Sequence, residues 1–224
     1  MHQNNSPYTS NQLVSASQHR GYEMQTHRGK LAKVHIDAAT DVIENFVNHH
    51  PRTFAVRVDL RYPEYYSLEE RPTRNSMRRF FESLNSQIEA ERKRALKAST
   101  INRVHETKLG YVWAREYGPQ SHRPHFHVLI LLNRDVYRTL GSISIERDNM
   151  YARIVKAWAR SLGLEPEEAV GLVHISKQGQ YHVFKDDRAS VAELIQRVSY
   201  LCKLETKKFN NGEHTFGASR VLKK

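Results

Sequence analysis

The chain has a single cysteine, Cys202, among 224 residues, so no internal disulfide can form. That fits a reducing compartment. Its longest clean apolar run is VLILL, residues 128–132. That is far short of the roughly 20 residues a membrane-spanning helix needs. The opening stretch MHQNNSPYTSNQ lacks the apolar segment of a secretory signal. No segment reads as a lipid anchor or a basic amphipathic membrane helix. A cytoplasmic protein with no membrane partner is therefore expected. There is no internal repeat, and no linker that would mark a second compact domain. The P-loop pattern G-x-x-x-x-G-K-[ST] is missing as well, which excludes a fused helicase of that type.

Acidic side chains are also in short supply. Asp and Glu total 24 against 35 Lys and Arg, a formal charge of +11. Such an excess favours a polyanionic partner, and nucleic acid leads once the membrane is set aside. Hydrophobic residues make up 39%, enough for a folded domain.

Along the chain, residues 1–30 are rich in Gln, Asn, Ser and His and read as a flexible arm. Residues 31–224 read as one domain. Ala39, Val42, Ile43, Phe46 and Val47 fall at helix spacing, and the helix ends before Pro51. From Thr53, Phe54, Val56, Val58 and Leu60 alternate with Ala55, Arg57, Asp59 and Arg61, which predicts a strand with one core face and one mostly charged face. A second helix from about Thr73 carries Met77, Phe80, Phe81, Leu84 and Ile88 on one stripe. LGYVWAREYG and PHFHVLILLN read as two paired strands. A helix over about 148–162, a short strand GLVHIS and a helix over about 190–207 follow. The order predicts an α+β domain, an antiparallel sheet with helices on one face.

The strand PHFHVLILLN begins with His125 and His127. Residues i and i+2 of a strand share a face, so the two imidazoles project together, about 6–7 Å apart along the chain, and can converge on one metal ion. Glu116, on the preceding strand, can join them across the hairpin. Asp59 on the first strand and His122 in the turn are alternative third ligands. Two nitrogens and one hard oxygen, with positions left open, suit a divalent ion that grips a phosphate. In the last helix, Val191, Leu194, Ile195, Val198, Leu201 and Cys202 form the apolar stripe. Tyr200 falls opposite it, and Lys203 lies one turn on, on the tyrosine's side. A phenol held off the core beside a cation suits a nucleophile directed at phosphate.

Residues His125-Phe126-His127 match the histidine–hydrophobic–histidine signature of the HUH endonucleases, and Tyr200-Leu201-Cys202-Lys203 matches their Y-x-x-K motif in the right order. The segments REYG…PHFHVLILLN, RNSMRRFFESLN and TFGASR, within a likeness running from about residue 35 to the C-terminus, resemble the YagK/YfjJ group of prophage and filamentous-phage proteins regarded as rolling-circle replication initiators. The resemblance implies a Rep-type domain with an RRM- or ferredoxin-like sheet. It implies nicking and rejoining of single-stranded or hairpin origin DNA through a 5′-phosphotyrosine link, with Tyr200 as nucleophile and Lys203 assisting. The metal, Mg²⁺ or Mn²⁺, would be held by His125, His127 and Glu116. The setting would be a bacterial host cytoplasm, with a host helicase as partner. Gln196 stands one turn before Tyr200, so the paired-tyrosine version of the family is not evident, and Tyr181 has no assigned role. Arg57, Arg61 and the basic stretch after Arg71 are candidates for backbone contact, and Tyr62, Tyr65 and Tyr66 for base stacking. Rival readings are a non-cleaving DNA-binding regulator on the same fold, an iron oxygenase with two histidines and a carboxylate, and an RNA-binding module.

Overall fold

The computed structural model describes residues 7–66, 75–98, 104–118, 123–209 and 212–222. His122, and the start of the second predicted helix at Thr73, lie outside these residues. The chain opens with four two-residue strands, β1 (Leu13–Val14), β2 (Gln18–His19), β3 (Tyr22–Glu23) and β4 (Leu31–Ala32). Then come α1 (Lys33–His49), β5 (Arg52–Arg61), α2 (Ser76–Ala98), β6 (Gly110–Tyr117) and β7 (Pro124–Asn133). The remainder is α3 (Met150–Leu162), α4 (Pro166–Ala169), β8 (Val173–Phe184), α5 (Arg188–Ser199) and β9 (Phe216–Ala218).

The class is α+β, with a five-stranded antiparallel sheet in the order β8-β5-β7-β6-β9. β5 and β7 are its inner pair, and nine consecutive residues of β5 oppose nine of β7, from Thr53–Asn133 to Arg61–His125. Their alternation sends side chains to two faces, and both are filled. Phe54, Val56, Val58, Leu60, Phe126, Val128, Ile130 and Leu132 pack against α2 and α3 in one core. Ala55, Leu129, Leu131, Val112 and Ala114 pack against α1 and α5 in the other. The helices expected on one face therefore cover both. The near-continuous apolar run of β7 is the physical reason, because a strand buried on both sides has no polar alternation to display.

Composition assigns residues 1–30 to an arm, yet Val14 and Met24 within them join Leu31 in the second core. β1 pairs with β4 and β2 with β3, so short pairings hold a polar sequence in place. Tyr62 and Tyr66 are also core residues, 5% and 4% exposed, with Tyr62 against Phe126 and Trp158. Tyr65 is 69% exposed and donates to Glu168 Oε1 at 2.9 Å. No described helix is long and apolar enough to cross a membrane.

Candidate functional site

The face of the sheet that packs under α1 and α5 changes character towards the start of β7. Past Leu129, the same-face positions are His127 and His125. The register sets Glu116 of β6 opposite His125, and Asp59 of β5 opposite His127. One ligand atom each from Glu116, His125 and His127 lie within 4.8 Å of one another. The three predicted ligands are thus brought together by one cross-strand pair, Glu116 and His125, and the next same-face position of β7, His127, where the backbone fixes their spacing.

Asp59, the alternative ligand, has another position. Its Oδ1 lies 2.5 Å from His127 Nδ1. A carboxylate only accepts, so Nδ1 carries the proton and Nε2 is left facing Glu116 Oε2 at 3.6 Å. This is the usual way a metal-binding imidazole is oriented, with its second nitrogen donated to a carboxylate. Burial works against charge on Asp59, but the bond to His127 and the nearby Arg57 outweigh it and hold its carboxyl below the ordinary range.

Glu116 is 2% exposed. Burial opposes its charge too, yet His127, Lys207 and Lys203 draw its carboxyl down to about 2. Its Oε2 lies 3.3 Å from Lys203 Nζ, while its buried Oε1 has no hydrogen-bond partner. A buried carboxylate oxygen without a partner is costly unless a cation takes it up. Two imidazole nitrogens and this oxygen fit the donor set of a divalent metal. Burial and the neighbouring His127 push His125 down, towards the neutral form that a metal needs. Burial pushes His127 down as well, but Asp59 and Glu116 prevail and its pKa is raised.

Tyr200 arrives from above. Asp187 caps α5 by accepting from Ala189 and Ser190, and Val191, Leu194, Ile195 and Val198 bury its inner stripe. The α-helix ends at Ser199, earlier than the sequence pattern suggests. Tyr200–Cys202 form a single 3₁₀ turn, and Lys203 is extended. Leu201 and Cys202 are buried in that turn and pin it, which leaves Tyr200 half-buried at the face. Its ring centroid stands 6.4 Å from that of His127. Lys203 Nζ lies 3.6 Å from the Tyr200 ring centroid, so one ammonium touches both the phenol and the Glu116 carboxylate. Sequence spacing reads the pairing of Tyr200 and Lys203 as a helical one. It is made instead by a turn followed by an extended residue bridged to Leu31.

Two parts of the site carried no signal in the sequence, and a third carried only part of one. Lys207, 1% exposed, donates from Nζ to the carbonyls of Leu201 and Lys203 at 2.7 and 2.6 Å. It holds the turn from below, and burial lowers its pKa to about 8. Gln25 N–H donates to Ser199 Oγ, and Leu204 N–H donates to Lys30 O, so the N-terminal segment braces the same turn. Arg57 has its Nη2 3.3 Å from His127 Nδ1 and its guanidinium carbon 5.5 Å from the Tyr200 ring centroid. The sequence marks Arg57 as a candidate for backbone contact but not as a member of the cluster.

Residues 14–219 match the family model described as the YagK/YfjJ C-terminal domain. The match reaches back into the stretch that packs beneath Tyr200. Two Escherichia coli (strain K12) relatives are similar over most of their length. The uncharacterized protein YagK is 33% identical over 187 residues, which is 78% of this chain and 86% of the relative. The uncharacterized protein YfjJ is 25% identical over 201 residues, 86% and 96% respectively. No solved structure matches. A family model that spans nearly the whole described fold, with the site inside it, makes this chain a member of the YagK/YfjJ C-terminal domain family.

Proposed function

We propose that this chain is an HUH-type DNA nickase and strand transferase that initiates rolling-circle replication. The observation that carries the reading is the meeting of Tyr200 and Lys203 with the Glu116–His125–His127 cluster. A hairpin of two neighbouring strands and a turn far along the chain converge there, and together they supply what cleavage of a phosphodiester by a tyrosine requires. The formal charge of +11 suits single-stranded or hairpin origin DNA.

Glu116, His125 and His127 would hold Mg²⁺ or Mn²⁺, which supplies positive charge at the phosphate as the transition state forms. The protein's own groups do the rest. The Tyr200 oxygen attacks phosphorus while the bond from phosphorus to the 3′-oxygen breaks. The phenol loses its proton and the leaving oxygen gains one, so the products are a 5′-phosphotyrosine and a free 3′-OH. Lys203 is placed to favour the phenolate and to offset phosphate charge. Asp59 keeps His127 in one tautomer and orientation. Attack on the phosphotyrosine by a 3′-OH reverses the step and reseals a strand, with no energy source beyond the bond itself. Initiation in this sense belongs to a bacterial cytoplasm and needs a separate helicase to unwind the template.

The test is a denaturing gel of end-labelled single-stranded DNA incubated with protein and Mn²⁺. Label that migrates with wild-type protein, and is absent with Tyr200→Phe and with chelator, is the expected result. Tight DNA binding without an adduct on any candidate origin would favour the non-cleaving regulator. An adduct that persists in Tyr200→Phe would remove Tyr200 as nucleophile.

A further inference from the structure

β8 does not run evenly along β5. Val56 opposes Gln180, and Val58 opposes Ile175. The single residue Arg57 therefore faces an excursion of four, Ser176, Lys177, Gln178 and Gly179. β8 is an edge strand, so the excursion projects from the rim of the sheet and leaves Lys177 and Gln178 exposed. Gly179 makes the return possible. A Cβ there would come within 2.9 Å of Arg57 O and 3.0 Å of Ser176 O. Bulges at sheet rims commonly re-aim side chains beside functional sites.

The excursion forms one wall of a cavity of about 420 Å³, whose other walls include Arg57, Tyr181, Arg197 and Tyr200. A second cavity of about 470 Å³ continues from it, sharing Gln178, Tyr181 and Arg197 and extending to His182 and Glu193. The pair forms a trough that starts at the nucleophile and runs along β8. The guanidinium groups of Arg57 and Arg197, the half-buried phenol rings of Tyr181 and Tyr200 and the exposed Gln178 amide are among the groups that line its inner end. Arg57 is tied to the cluster at this junction, its Nε 3.8 Å from Asp59 Oδ1 and its Nη2 3.3 Å from His127 Nδ1, so the trough and the Glu116–His125–His127 cluster share one guanidinium.

We propose that this trough takes an unpaired nucleotide next to the attacked phosphate, and that Gln178 sets which base is accepted. The inference rests on the DNA-cleaving reading of the same site. Arg57 and Arg197 face the negatively charged backbone, Tyr181 offers a face for stacking, and the Gln178 amide presents a donor and an acceptor to a base edge. Of these, only Gln178 discriminates between bases. An arginine that contacts the backbone, and a ring that stacks on a base, carry no sequence information.

The experiment is a binding selection from a randomised single-stranded DNA pool, using Tyr200→Phe protein so that nothing is cut, followed by sequencing. It is repeated with Gln178→Ala and with Tyr181→Leu added, and wild-type protein is run separately for adduct formation. Gln178 is exposed, so its truncation leaves the core untouched. A bidentate amide–base pair discriminates against the wrong base, so base preference at one position should fall by roughly tenfold in Gln178→Ala while other positions keep theirs. Tyr181→Leu should weaken binding of all sequences, by roughly tenfold. Identical enrichment profiles with and without Gln178 overturn the inference, and an adduct in wild type would then leave the nickase reading standing. A Gln178-dependent preference without any adduct supports the trough and overturns the nickase. A pool that is not retained at all overturns both.

Discussion

Lys207 gives the sharpest test of how the site is held together. The residue is 1% exposed, and its ammonium donates to the carbonyls of Leu201, inside the turn that Tyr200 opens, and of Lys203, directly after it. Lys207→Met keeps most of the stem volume and removes the donors. Hydrogen bonds to charged groups contribute about 1.5–3 kcal/mol each, so the gross loss is about 3–6 kcal/mol. Against this, the wild type buries a charge, and a pKa lowered from 10.5 to about 8 sets that cost at about 3 kcal/mol. The balance is a destabilisation of up to about 3 kcal/mol, which for a chain of this size lowers Tm by up to roughly 10 °C. Calorimetry across pH adds a second readout. The folded pKa lies below the unfolded one, so the wild type's cost is fully present below pH 8 and is relieved as pH rises from about 8 to 10.5. The gap between wild type and Lys207→Met should therefore widen over that window and stay flat beneath it. A variant at least as stable as wild type at pH 7, with a flat difference up to pH 10, would show that the carbonyls need no cation.

Mn²⁺ at a hundredfold excess over its Kd should stabilise the protein by about 2.7 kcal/mol, a rise in Tm of roughly 5–10 °C. Glu116→Gln and His125→Ala should abolish the rise, and a wild type whose Tm ignores Mn²⁺ would remove the trio as a cation site. Acid should destabilise the fold through two buried histidines outside the site, His35 and His50, whose pKa values burial lowers to about 3 and about 4. The unfolded chain takes up their protons near pH 6.5, so stability falls as pH drops below 6.5 and the loss levels off below about 4 to 3. His50 Nε2 accepts from Lys108 N–H at 3.4 Å, a contact that needs the neutral ring, and His50→Gln should flatten the acid slope of Tm against pH.

The site was legible where a local rule governs it. His125 and His127 share a face because strands have period two, whereas Glu116 was legible only beside Asp59 and His122 as alternatives, because the pairing register across the loop is set by packing and not by a local rule. Tyr200 and Lys203 were legible as a pair for a reason the structure replaces, since the helix stops at Ser199 and the contact is made by a turn. What sequence could not show depends on long-range packing. Lys207 is one of several lysines near the C-terminus, and nothing local marks it as the buried one. The stretch from Leu13 to Lys30 looks like solvent-facing chain because its few apolar residues have no period. Val14, Met24 and Leu31 are buried by where the backbone passes, not by a repeating pattern. The second covered face was hidden for a related reason. Ala55 counts as neutral in an alternating strand, and only the arrival of α1 and α5 makes it core.

The lone cysteine gives the molecule an internal clock. Cys202 is buried in the turn directly after Leu201, two residues past Tyr200, and burial pushes its thiol up to about 12. A thiol in that state reacts with an alkylating reagent only when the turn opens. With no other thiol in the chain, the rate of its modification reports how often the tyrosine-bearing segment lifts from the sheet, without any label being introduced.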